Sequence, residues 1–491
     1  MILSTIVNNI LKIPKYLENL YVAGITIDSR KVKKNFIFVA ASGCSDNSKD
    51  GHYFIEEAIN RGACFIVCER ILIDYQVPYV KVLNSRIIAA KLLQQFWFNK
   101  IHNINIKLCG ITGTNGKTSV SFLISYILES MKYNPIVIGS LGIGLINNLQ
   151  YLGLTTPEAE DLSFLINNNA VNKSHLIIEV SSHGLETNRV DGLNFDIAAL
   201  TNITSEHLDF HKNINSYENA KFRLFNELLP KNRIAILPFR HKFSNFLQNK
   251  NRIITWGVNN KADISAQLVK QDLYGISFFL CRGKVRKFIR THILGSFQLD
   301  NILCASAIAL GFGASLDQIV IGLKNIKTIP GRMQKISLSN KLNIPTIIID
   351  FAHTPDALQR VLSDLFICKN SGKIILVFGC AGNRDKTKRA IMGNIAYNLA
   401  DKIFITSDNS RNESFYAIFQ DILSGINFNK NKIFCIIEDR KEAIKKAILE
   451  ASNNDIVLIA GKGCEKIQEI RGDQKKISDN DIVKDILLEF F

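Results

Sequence analysis

The sequence lacks a hydrophobic run of the about 20 residues that a membrane helix requires. Its longest apolar stretch, around Cys304 to Leu316, is short and contains Ser and Gly. It also lacks a basic leader and a small-residue cleavage site near its start, where the first Lys is Lys12. Ten cysteines are present, but the closest pair, Cys64 and Cys68, is not followed by a second pair at zinc-ligand spacing. We therefore expect reduced thiols in a cytoplasmic protein.

Repeats of solenoid period, low-complexity linkers and a dense basic run interleaved with aromatic residues are also missing. Lys and Arg together number 60 against 44 Asp and Glu, and the resulting net charge of +16 suits a polyanionic partner. A small substrate rich in phosphate and carboxylate fits this charge as well as a nucleic acid does. An AT-rich genome would also make Lys, Asn and Ile abundant. The positive charge is therefore weak evidence for any particular partner. We expect small-molecule substrates, no nucleic acid and no membrane insertion, and leave protein partners open.

The length of 491 residues predicts about three domains. Residues 1–99 read as a small α/β unit. Residues 100–329 alternate apolar strands with helical stretches, which predicts a mainly parallel sheet with crossover helices. A second alternating set after residue 330 predicts another α/β domain over residues 330–491. Because ligands gather at the carboxyl ends of parallel strands, the polar turns that follow these strands are the candidate sites.

A phosphate-binding loop follows the first strand of the central region and opens a helix. Glycine in such a loop lets backbone N–H groups approach phosphates, Lys117 can reach the β and γ phosphates, and the Thr118 hydroxyl can bind magnesium. The strict Walker spacing requires Gly at position 111, which is Ile111, and Gly110 comes one residue early. The predicted ATP-binding residues are Gly113, Thr114, Asn115, Gly116, Lys117, Thr118 and Ser119.

Three further residues form a candidate metal site. Glu179 ends the apolar run HLIIE, His207 follows the strand FDIAAL, and Lys221 lies fourteen residues beyond His207. A lysine ammonium is an odd partner for a cation. It fits if its neutral amine has captured CO₂ as a carbamate, because a carbamate is an anionic oxygen donor of the kind that Mg²⁺ prefers.

The combination of GTNGKTS, EVSSHGL, HLDFH and YENAKFRLF resembles the Mur ligases, which form amide bonds with ATP in peptidoglycan precursor synthesis. The resemblance covers nearly the whole chain. It implies a three-domain architecture with a small α/β N-terminal domain, a central P-loop ATPase-type domain and a C-terminal Rossmann-like domain. It also implies ATP and Mg²⁺ as cofactors, a CO₂-derived carbamate on Lys221, and activation of a substrate carboxylate as an acyl phosphate. The implied catalytic residues are Lys117, Glu179, His207 and Lys221, and the implied metal ligands are Thr118, Glu179, His207 and Lys221.

Within the family, the chain is most similar to the members that add the third amino acid to UDP-N-acetylmuramoyl-L-alanyl-D-glutamate. That similarity implies a uridine-nucleotide domain over residues 1–99. Asn301 and Arg332 resemble positions near the nucleotide, and Asp350 and His353 resemble the signature that closes the last domain over ATP. The residues implied to contact the UDP-linked substrate are Ile27, Ser29, Thr155, Thr156, Ser181, Thr187 and Arg189, with Thr187 in place of a common Gln.

The choice of amino acid is implied to lie in the C-terminal domain, residues 330–491. Its loop Asp408-Asn409-Ser410-Arg411 resembles the DNPR signature of enzymes that add meso-diaminopimelate. A guanidinium binds the distal carboxylate of that amino acid and repels the ammonium of L-lysine. The other implied contacts are Arg384, Gly461 and Glu465, and the departures from the family pattern are Asn383 for Asp, Ser410 for Pro and Cys464 for His.

Three alternatives stay open. A lysine-adding ligase of the same family is opposed by the Arg411 loop alone. A ligase like folylpolyglutamate synthetase shares the phosphate loop and the modified lysine, but the separate N-terminal unit argues against it. A P-loop binding protein without ligation activity would not need Lys117, Glu179, His207 and Lys221 together.

Overall fold

The computed structural model describes residues 1–43, 49–71, 75–98, 106–169, 173–204, 206, 208–336, 344–369, 371–427 and 432–491. Contacts divide the chain into two compact units. The first comprises Met1–Gly113, Leu128–Thr201 and Tyr217–Ile254, and the second comprises Thr114–Ile127, Asn202–Ser216 and Thr255–Phe491. The boundaries near residues 99 and 330 stay predictions. Across the described ranges, no helix has both the length and the apolar character to span a membrane.

The first unit begins with a small sheet of parallel strands in the order β1-β2-β3-β4. Its elements are α1 Leu3–Val7, β1 Gly24–Thr26, β2 Phe36–Val39, α2 Ile55–Asn60, β3 Ala63–Cys68, β4 Tyr79–Lys81 and α3 Ser85–Phe98. The polar motif Asp28-Ser29-Arg30 follows β1 as a 3-10 turn, and the Asp28 carboxylate caps that turn by accepting from the N–H of Arg30. The run HYFIEEAINRG predicts a helix that ends at Gly62, and α2 is shorter than this, because residues 51–54 form a 3-10 turn before it.

The middle of the chain supplies the mainly parallel sheet that was predicted. Its elements are β5 Lys107–Thr112, α4 Lys117–Ser130, β6 Pro135–Gly139, β7 Gly142–Leu145, β8 Asn148–Gln150, α5 Ala159–Asn169, β9 His175–Glu179, α6 Ser182–Glu186, β10 Ile197–Leu200, α7 Leu208–His211, α8 Ile214–Asn226, β11 Ile234–Pro238, α9 Ser244–Leu247 and β12 Arg252–Val258. In the first unit the strand order is β11-β10-β5-β9-β6-β7-β8. The strands from β11 to β6 are parallel, and their continuous apolar runs are buried on both faces.

The second unit contains an antiparallel ribbon that the sequence analysis missed. It consists of β13 Ile264–Asp272, β14 Gly275–Arg282 and β15 Val285–Thr291, and β12 pairs parallel with β13. The outer strand, β15, carries several exposed charged residues, so it lacks the apolar run that identified the other strands. The turn glycines Gly275 and Gly283 both have positive φ. Glycine at these two positions was the feature of the sequence from which the hairpin turns could have been predicted.

The second unit also contains a six-stranded sheet in the order β16-β17-β21-β18-β19-β20, parallel except at β16. Helices between the strands bury apolar side chains on both faces of the sheet, as expected for a doubly wound α/β fold. The elements of this part are α10 Gln298–Gly311, α11 Leu316–Lys324, β16 Gln334–Ile336, β17 Thr346–Asp350, α12 Pro355–Cys368, β18 Ile374–Phe378, α13 Thr387–Leu399, β19 Lys402–Ile405, α14 Phe415–Leu423, β20 Ile433–Ile436, α15 Arg440–Leu449, β21 Ile456–Ala460, β22 Ile467–Ile470, β23 Asp473–Lys476 and α16 Asp479–Phe490.

Candidate active site

The phosphate loop predicted from the sequence connects β5 to α4, and Gly116 within it has a φ of +88°. Thr114 donates its N–H to the carbonyl of Asn202 at 2.9 Å. Asn115 donates its N–H to the side-chain oxygen of Asn202, also at 2.9 Å. The Nζ of Lys117 donates to the carbonyl of Thr114 at 2.9 Å. The loop therefore has a defined backbone, with the lysine ammonium held beside it, as a phosphate cradle requires.

The two residues predicted to lie near the nucleotide, Asn301 and Arg332, both contact this loop. A Cβ atom on Gly116 would lie 2.1 Å from Oδ1 of Asn301, so a larger residue does not fit there. The Arg332 guanidinium stacks on the ring of Phe351, 4.3 Å from its centroid, and donates from Nη2 to the Thr118 hydroxyl at 3.4 Å. The structure thus gathers these predicted nucleotide residues around one end of α4.

Asp350, at the end of β17, fixes the segment that carries Arg332. Its buried carboxylate accepts from the N–H of Met333 and from the N–H of Ala352, both at 2.7 Å. Burial raises the pKa of Asp350 above its usual value. Met333 has a φ of +46°, a conformation that needs such support. Asp350 therefore holds the backbone of the segment that carries Arg332.

Glu179 is 1% exposed and ends β9. Its carboxylate lies against Gly139, where a Cβ atom would be 2.0 Å from Oε1. Ser140 donates its N–H to Oε1 at 3.3 Å and its hydroxyl to Oε2 at 3.2 Å. The hydroxyl of Ser140 is also 2.9 Å from that of Thr155. The carboxylate is therefore buried in a cradle that only glycine permits, next to a predicted substrate-binding threonine.

Lys221 is 1% exposed and projects from α8. Its Nζ donates to the carbonyl of Gly113 at 2.8 Å and lies 4.3 Å from the centroid of the Tyr217 ring. Because Ile111 of β5 is in register with Glu179 of β9, the carbonyl of Gly113 belongs to the same edge of the sheet as the Glu179 carboxylate. The structure thus brings Lys221 and Glu179 to one carboxyl edge of the first unit.

The donor chemistry of these residues fits magnesium in part. Glu179 offers carboxylate oxygens in a cradle that a Cβ would fill, and Thr118 offers a hydroxyl oxygen, both of which are ligand types of Mg²⁺. Lys221 fits only as a carbamate, since an amine that donates to a carbonyl is not an oxygen ligand. His207 lies outside the described residues. Among the residues that are described, no group of three or more His, Cys, Asp and Glu side chains is arranged to hold a metal ion.

The residues predicted to contact the UDP-linked substrate near α6 form one hydrogen-bonded group. The Thr156 hydroxyl donates to the carbonyl of Glu179 at 2.9 Å and accepts from the N–H of Ser181 at 3.0 Å. Arg189 donates from Nη1 to the carbonyl of Thr156 at 2.8 Å. Thr187 is different, because its hydroxyl donates to a backbone carbonyl of α6 at 2.7 Å. The substrate contacts of all these residues, Thr187 included, stay predictions.

The predicted uridine-binding residues, Ile27 and Ser29, border the 3-10 turn after β1. The Ser29 hydroxyl donates to Oε2 of Glu57 at 2.7 Å. Ile27 donates its N–H to Oε2 of Glu160 at 3.0 Å. Sequence reasoning did not single out either carboxylate, because both lie on helices whose first turns contain several acidic residues.

Four of the residues predicted for the amino-acid site lie together in the C-terminal sheet region. The side-chain amide of Asn409 donates to Oε2 of Glu465 at 3.1 Å. Gly461 has a φ of +110°, and a Cβ atom there would lie 2.7 Å from Oδ2 of Asp408. Carboxylates from Asp408 and Glu465 suit a substrate ammonium. The structure therefore brings these four residues together, and their contact with an amino acid stays a prediction.

Arg411 lies beside that group in a left-handed conformation, with a φ of +49°. Its Nη1 donates to the carbonyl of Gly382 at 2.5 Å, and its Nε is 3.5 Å from Oε2 of Glu469. Its backbone N–H donates to the carbonyl of Glu469 at 3.0 Å. The remaining N–H groups of the guanidinium leave a fork that suits a carboxylate. Arg384 lies in an exposed bend, and its predicted contact stays a prediction.

Sequence reasoning missed an ion-pair network that supports the Arg411 loop. The fully buried side chain of Arg389 donates from Nη1 to Glu413 and to Asp421, both at 2.8 Å. The hydrogen bond from Arg389 lowers the pKa of Glu413 to about 2. Oε1 of Glu413 accepts from the N–H of Asn383 at 2.5 Å, next to the Gly382 carbonyl that Arg411 contacts. The feature of the sequence that could have indicated this network is Arg389 itself, which ends the run GNRDKTKR.

Comparison with known proteins covers almost the whole chain. The family models that match are "Mur ligase family, catalytic domain" over residues 21–97, "Mur ligase middle domain" over 111–309 and "Mur ligase, glutamate ligase domain" over 331–463. The UDP-N-acetylmuramoyl-L-alanyl-D-glutamate--2,6-diaminopimelate ligase 1 of Clostridium acetobutylicum is 36% identical over 96% of this chain and 96% of its own length. The corresponding ligase of Fusobacterium nucleatum is 35% identical over 95% of each chain. A solved structure of a ligase of that name has a TM-score of 0.70 at 30% identity and covers 97% of both chains.

Proposed function

Because the chain belongs to the Mur ligase family of ATP-dependent amide-forming enzymes, we propose that it joins meso-diaminopimelate to UDP-N-acetylmuramoyl-L-alanyl-D-glutamate. The observation that carries the proposal is the similarity to ligases of that name, which extends over 95–96% of the chain at 35–36% identity. The UDP-linked substrate and ATP are both polyanionic, which suits the net charge of +16. The proposed location is the cytoplasm, where nucleotide-linked precursors are made.

The first proposed step is phosphoryl transfer. An oxygen of a substrate carboxylate attacks the γ-phosphorus of ATP, ADP leaves, and an acyl phosphate forms. The backbone N–H groups of the phosphate loop and the ammonium of Lys117 stabilise the charge on the transferring phosphoryl group. Asn301 and Arg332 orient the nucleotide, since both already contact the loop. No serine or cysteine nucleophile is needed, because phosphate activates the carboxylate.

We assign the magnesium ligands to Thr118, Glu179, His207 and a carbamate on Lys221. Bound there, Mg²⁺ would neutralise charge on the phosphates. The part of Lys221 in this assignment depends on its surroundings. Its buried amine lies against a carbonyl oxygen and an aromatic ring. A carbamate forms only from the neutral amine, because that is the form that reacts with CO₂.

The second proposed step is aminolysis. The amine of meso-diaminopimelate attacks the acyl carbon, a tetrahedral intermediate forms, and inorganic phosphate leaves as the amide bond closes. Arg411 pairs with the distal carboxylate of the amino acid, while Asp408 and Glu465 attract its distal ammonium. Exclusion of water is necessary because an exposed acyl phosphate would hydrolyse.

A ligase that adds L-lysine is the main competing function. The guanidinium of Arg411 opposes it, because L-lysine lacks the distal carboxylate of meso-diaminopimelate and would leave the guanidinium without its anionic partner. A ligase like folylpolyglutamate synthetase is opposed by the N-terminal unit, which the family model over residues 21–97 matches. A binding protein without ligation activity would show no turnover with any amine.

The direct test is phosphate release by the purified protein with Mg²⁺, ATP and UDP-N-acetylmuramoyl-L-alanyl-D-glutamate. Reactions with meso-diaminopimelate, with L-lysine and without amine are compared, and products are weighed by mass spectrometry. We expect release that depends on meso-diaminopimelate, with a product heavier by one amino-acid residue. Preference for lysine would retain the ligase and overturn the specificity. Absence of release with either amine, in a protein that still binds ATP, would overturn the ligase.

A further inference from the structure

A single carboxylate on the first turn of α5 reaches the segment that follows β1. Oε2 of Glu160 accepts from the Thr26 hydroxyl at 2.8 Å and from the N–H of Ile27 at 3.0 Å. Its Oε1 lies 3.3 Å from Nζ of Lys31. The Glu160 side chain is 16% exposed. Three donors on one largely buried carboxylate make this a strong, charge-assisted connection.

The two segments that Glu160 joins carry opposite ends of the proposed UDP-linked substrate site. In the predicted uridine-binding segment, Ile27 precedes the 3-10 turn and Ser29 begins it, and Glu160 contacts Ile27 directly. Thr155 and Thr156, predicted to contact the muramoyl peptide, precede α5 by a few residues. The Thr156 hydroxyl is itself bonded to the backbone beside α6. The spacing between the two ends therefore depends on how α5 is attached to the segment after β1.

We infer that Glu160 is a positioning residue that fixes the distance between the uridine-binding and muramoyl-peptide-binding segments, so that one substrate reaches both at once. The inference rests on the proposed function. A ligand that binds at two linked points gains affinity from the effective concentration of its second end, and this gain is lost when the points can move apart. Loss of the Glu160 contacts therefore weakens binding of the whole substrate, while the contacts that each end of the substrate makes stay in place.

Two substitutions at Glu160 test the inference, because they remove different numbers of its interactions. Glu160→Ala removes all three interactions. Glu160→Gln keeps the shape and one acceptor for the N–H of Ile27 but removes the charge that faces Lys31. The matched control is Asp161→Asn, because Asp161 is the next residue on the same helix turn and also faces Lys31, at 3.8 Å, but its side chain is 59% exposed. The control removes a carboxylate from the first turn of α5 without touching residues 26 and 27.

The measurement is calorimetric binding of two probes, UDP and UDP-N-acetylmuramoyl-L-alanyl-D-glutamate, to the full chain and each variant. For Glu160→Ala we expect the dissociation constant of the whole substrate to rise about tenfold, with that of UDP changed by less than about twofold. Glu160→Gln should lie between Glu160→Ala and the unchanged protein, and Asp161→Asn should match the unchanged protein. In turnover assays, KM for the UDP-linked substrate should rise while KM for ATP and for meso-diaminopimelate stays the same.

Equal weakening of both probes would overturn the inference, because it would mean local damage to the uridine end. Unchanged binding of both probes would overturn it as well. If Glu160→Ala fails to fold by circular dichroism, Glu160→Gln supplies the same comparison. Failure of the unmodified protein to bind the whole substrate would overturn the proposed function and this inference with it. Binding by the unmodified protein with no loss in either Glu160 variant would overturn the inference alone.

Discussion

Lys221 and Arg411 represent two regions of the molecule that are built in different ways. Lys221 is 1% exposed and is held by a backbone carbonyl at the end of a parallel strand. The Arg411 side chain is 25% exposed. Its loop is held by backbone carbonyls, such as that of Gly382, and also by side chains, such as those of Asn383 and Gln468. The first region follows the family motifs closely, whereas the second departs from them at Asn383, Ser410 and Cys464. Backbone geometry thus holds the region of the proposed chemistry, whereas the region of the proposed specificity depends on side-chain bonds in addition to backbone ones.

The strand-end region depends on close packing between a glycine and a carboxylate. Gly139 leaves room for the Glu179 carboxylate, and a Cβ there would overlap it. The loop region depends instead on bonds that other residues replace more easily. Gln468, buried after β21, donates from Nε2 to the hydroxyl of Ser407 and to the carbonyl of Asp408, both at 2.9 Å. We therefore expect substitutions at the strand ends to abolish turnover and substitutions near the loop to change selectivity or stability.

The largest expected effect is on turnover in Lys221→Ala. Without the proposed carbamate, the charge on the transferring phosphoryl group loses a stabilising ligand, so kcat should fall on the order of 10²- to 10³-fold. ATP affinity should change little, because the phosphate loop is intact. Single-turnover phosphate release and nucleotide binding measure the two quantities, with the exposed Lys250→Ala as the control. High bicarbonate or a short-chain acid should restore part of the activity. Unchanged turnover in Lys221→Ala would refute the carbamate role.

The second expected effect is on stability, in Arg389→Leu. Removing this fully buried guanidinium leaves Glu413 and Asp421 without their shared partner, which should lower the free energy of unfolding by about 3 kcal/mol. Denaturant unfolding measures the loss. Arg360→Leu is the matched control, because its ion pair with Asp356 is exposed and should contribute less than about 1 kcal/mol.

The acid side of the stability profile checks the same network. The folded-state pKa of Glu413 is about 2, below its ordinary 4.5. The contribution of Glu413 to the free energy of unfolding should therefore be complete above pH 4.5 and be lost as the pH falls toward 2. Arg389→Leu should lose that part of the pH dependence. Identical acid profiles for the variant and the unmodified protein would show that the pair does not stabilise the fold.

The α/β class was predictable because apolar strands followed by glycine-rich or polar turns leave a clear pattern in sequence. The family and the grouping of the phosphate loop with Asn301 and Arg332 were predictable only from the resemblance to Mur ligase motifs. The antiparallel ribbon was not, since its outer strand β15 is charged and exposed. The residues that hold the candidate site in place could not be predicted from the sequence either. Arg389 and Glu160 act through tertiary contacts to residues 24 to 134 positions away, and no local pattern encodes such pairings.

The third expected effect is on amino-acid choice, in Arg411→Ala. Loss of a charge-assisted pair with the distal carboxylate should raise KM for meso-diaminopimelate on the order of tenfold to 10²-fold. Efficient use of L-lysine should not appear, because removing one selector does not build another. Steady-state kinetics with both amino acids measure the change, and KM for ATP serves as the internal control. Equal use of both amino acids by the unmodified protein would contradict the role of Arg411.

The smallest expected effect is that of Ser410→Pro, which restores the residue of the family pattern next to Arg411. Ser410 is 4% exposed and donates its N–H to the carbonyl of Asp408 at 3.0 Å. Proline removes that hydrogen-bond donor, which lowers the free energy of unfolding by about 1 kcal/mol. Proline also restricts the unfolded chain, which raises the free energy of unfolding by about 1 kcal/mol. KM for meso-diaminopimelate should therefore change by less than about threefold. A larger fall in KM would show that the loop is loose in this chain, and that the contacts of Arg411 with Gly382 and Glu469 do not hold it.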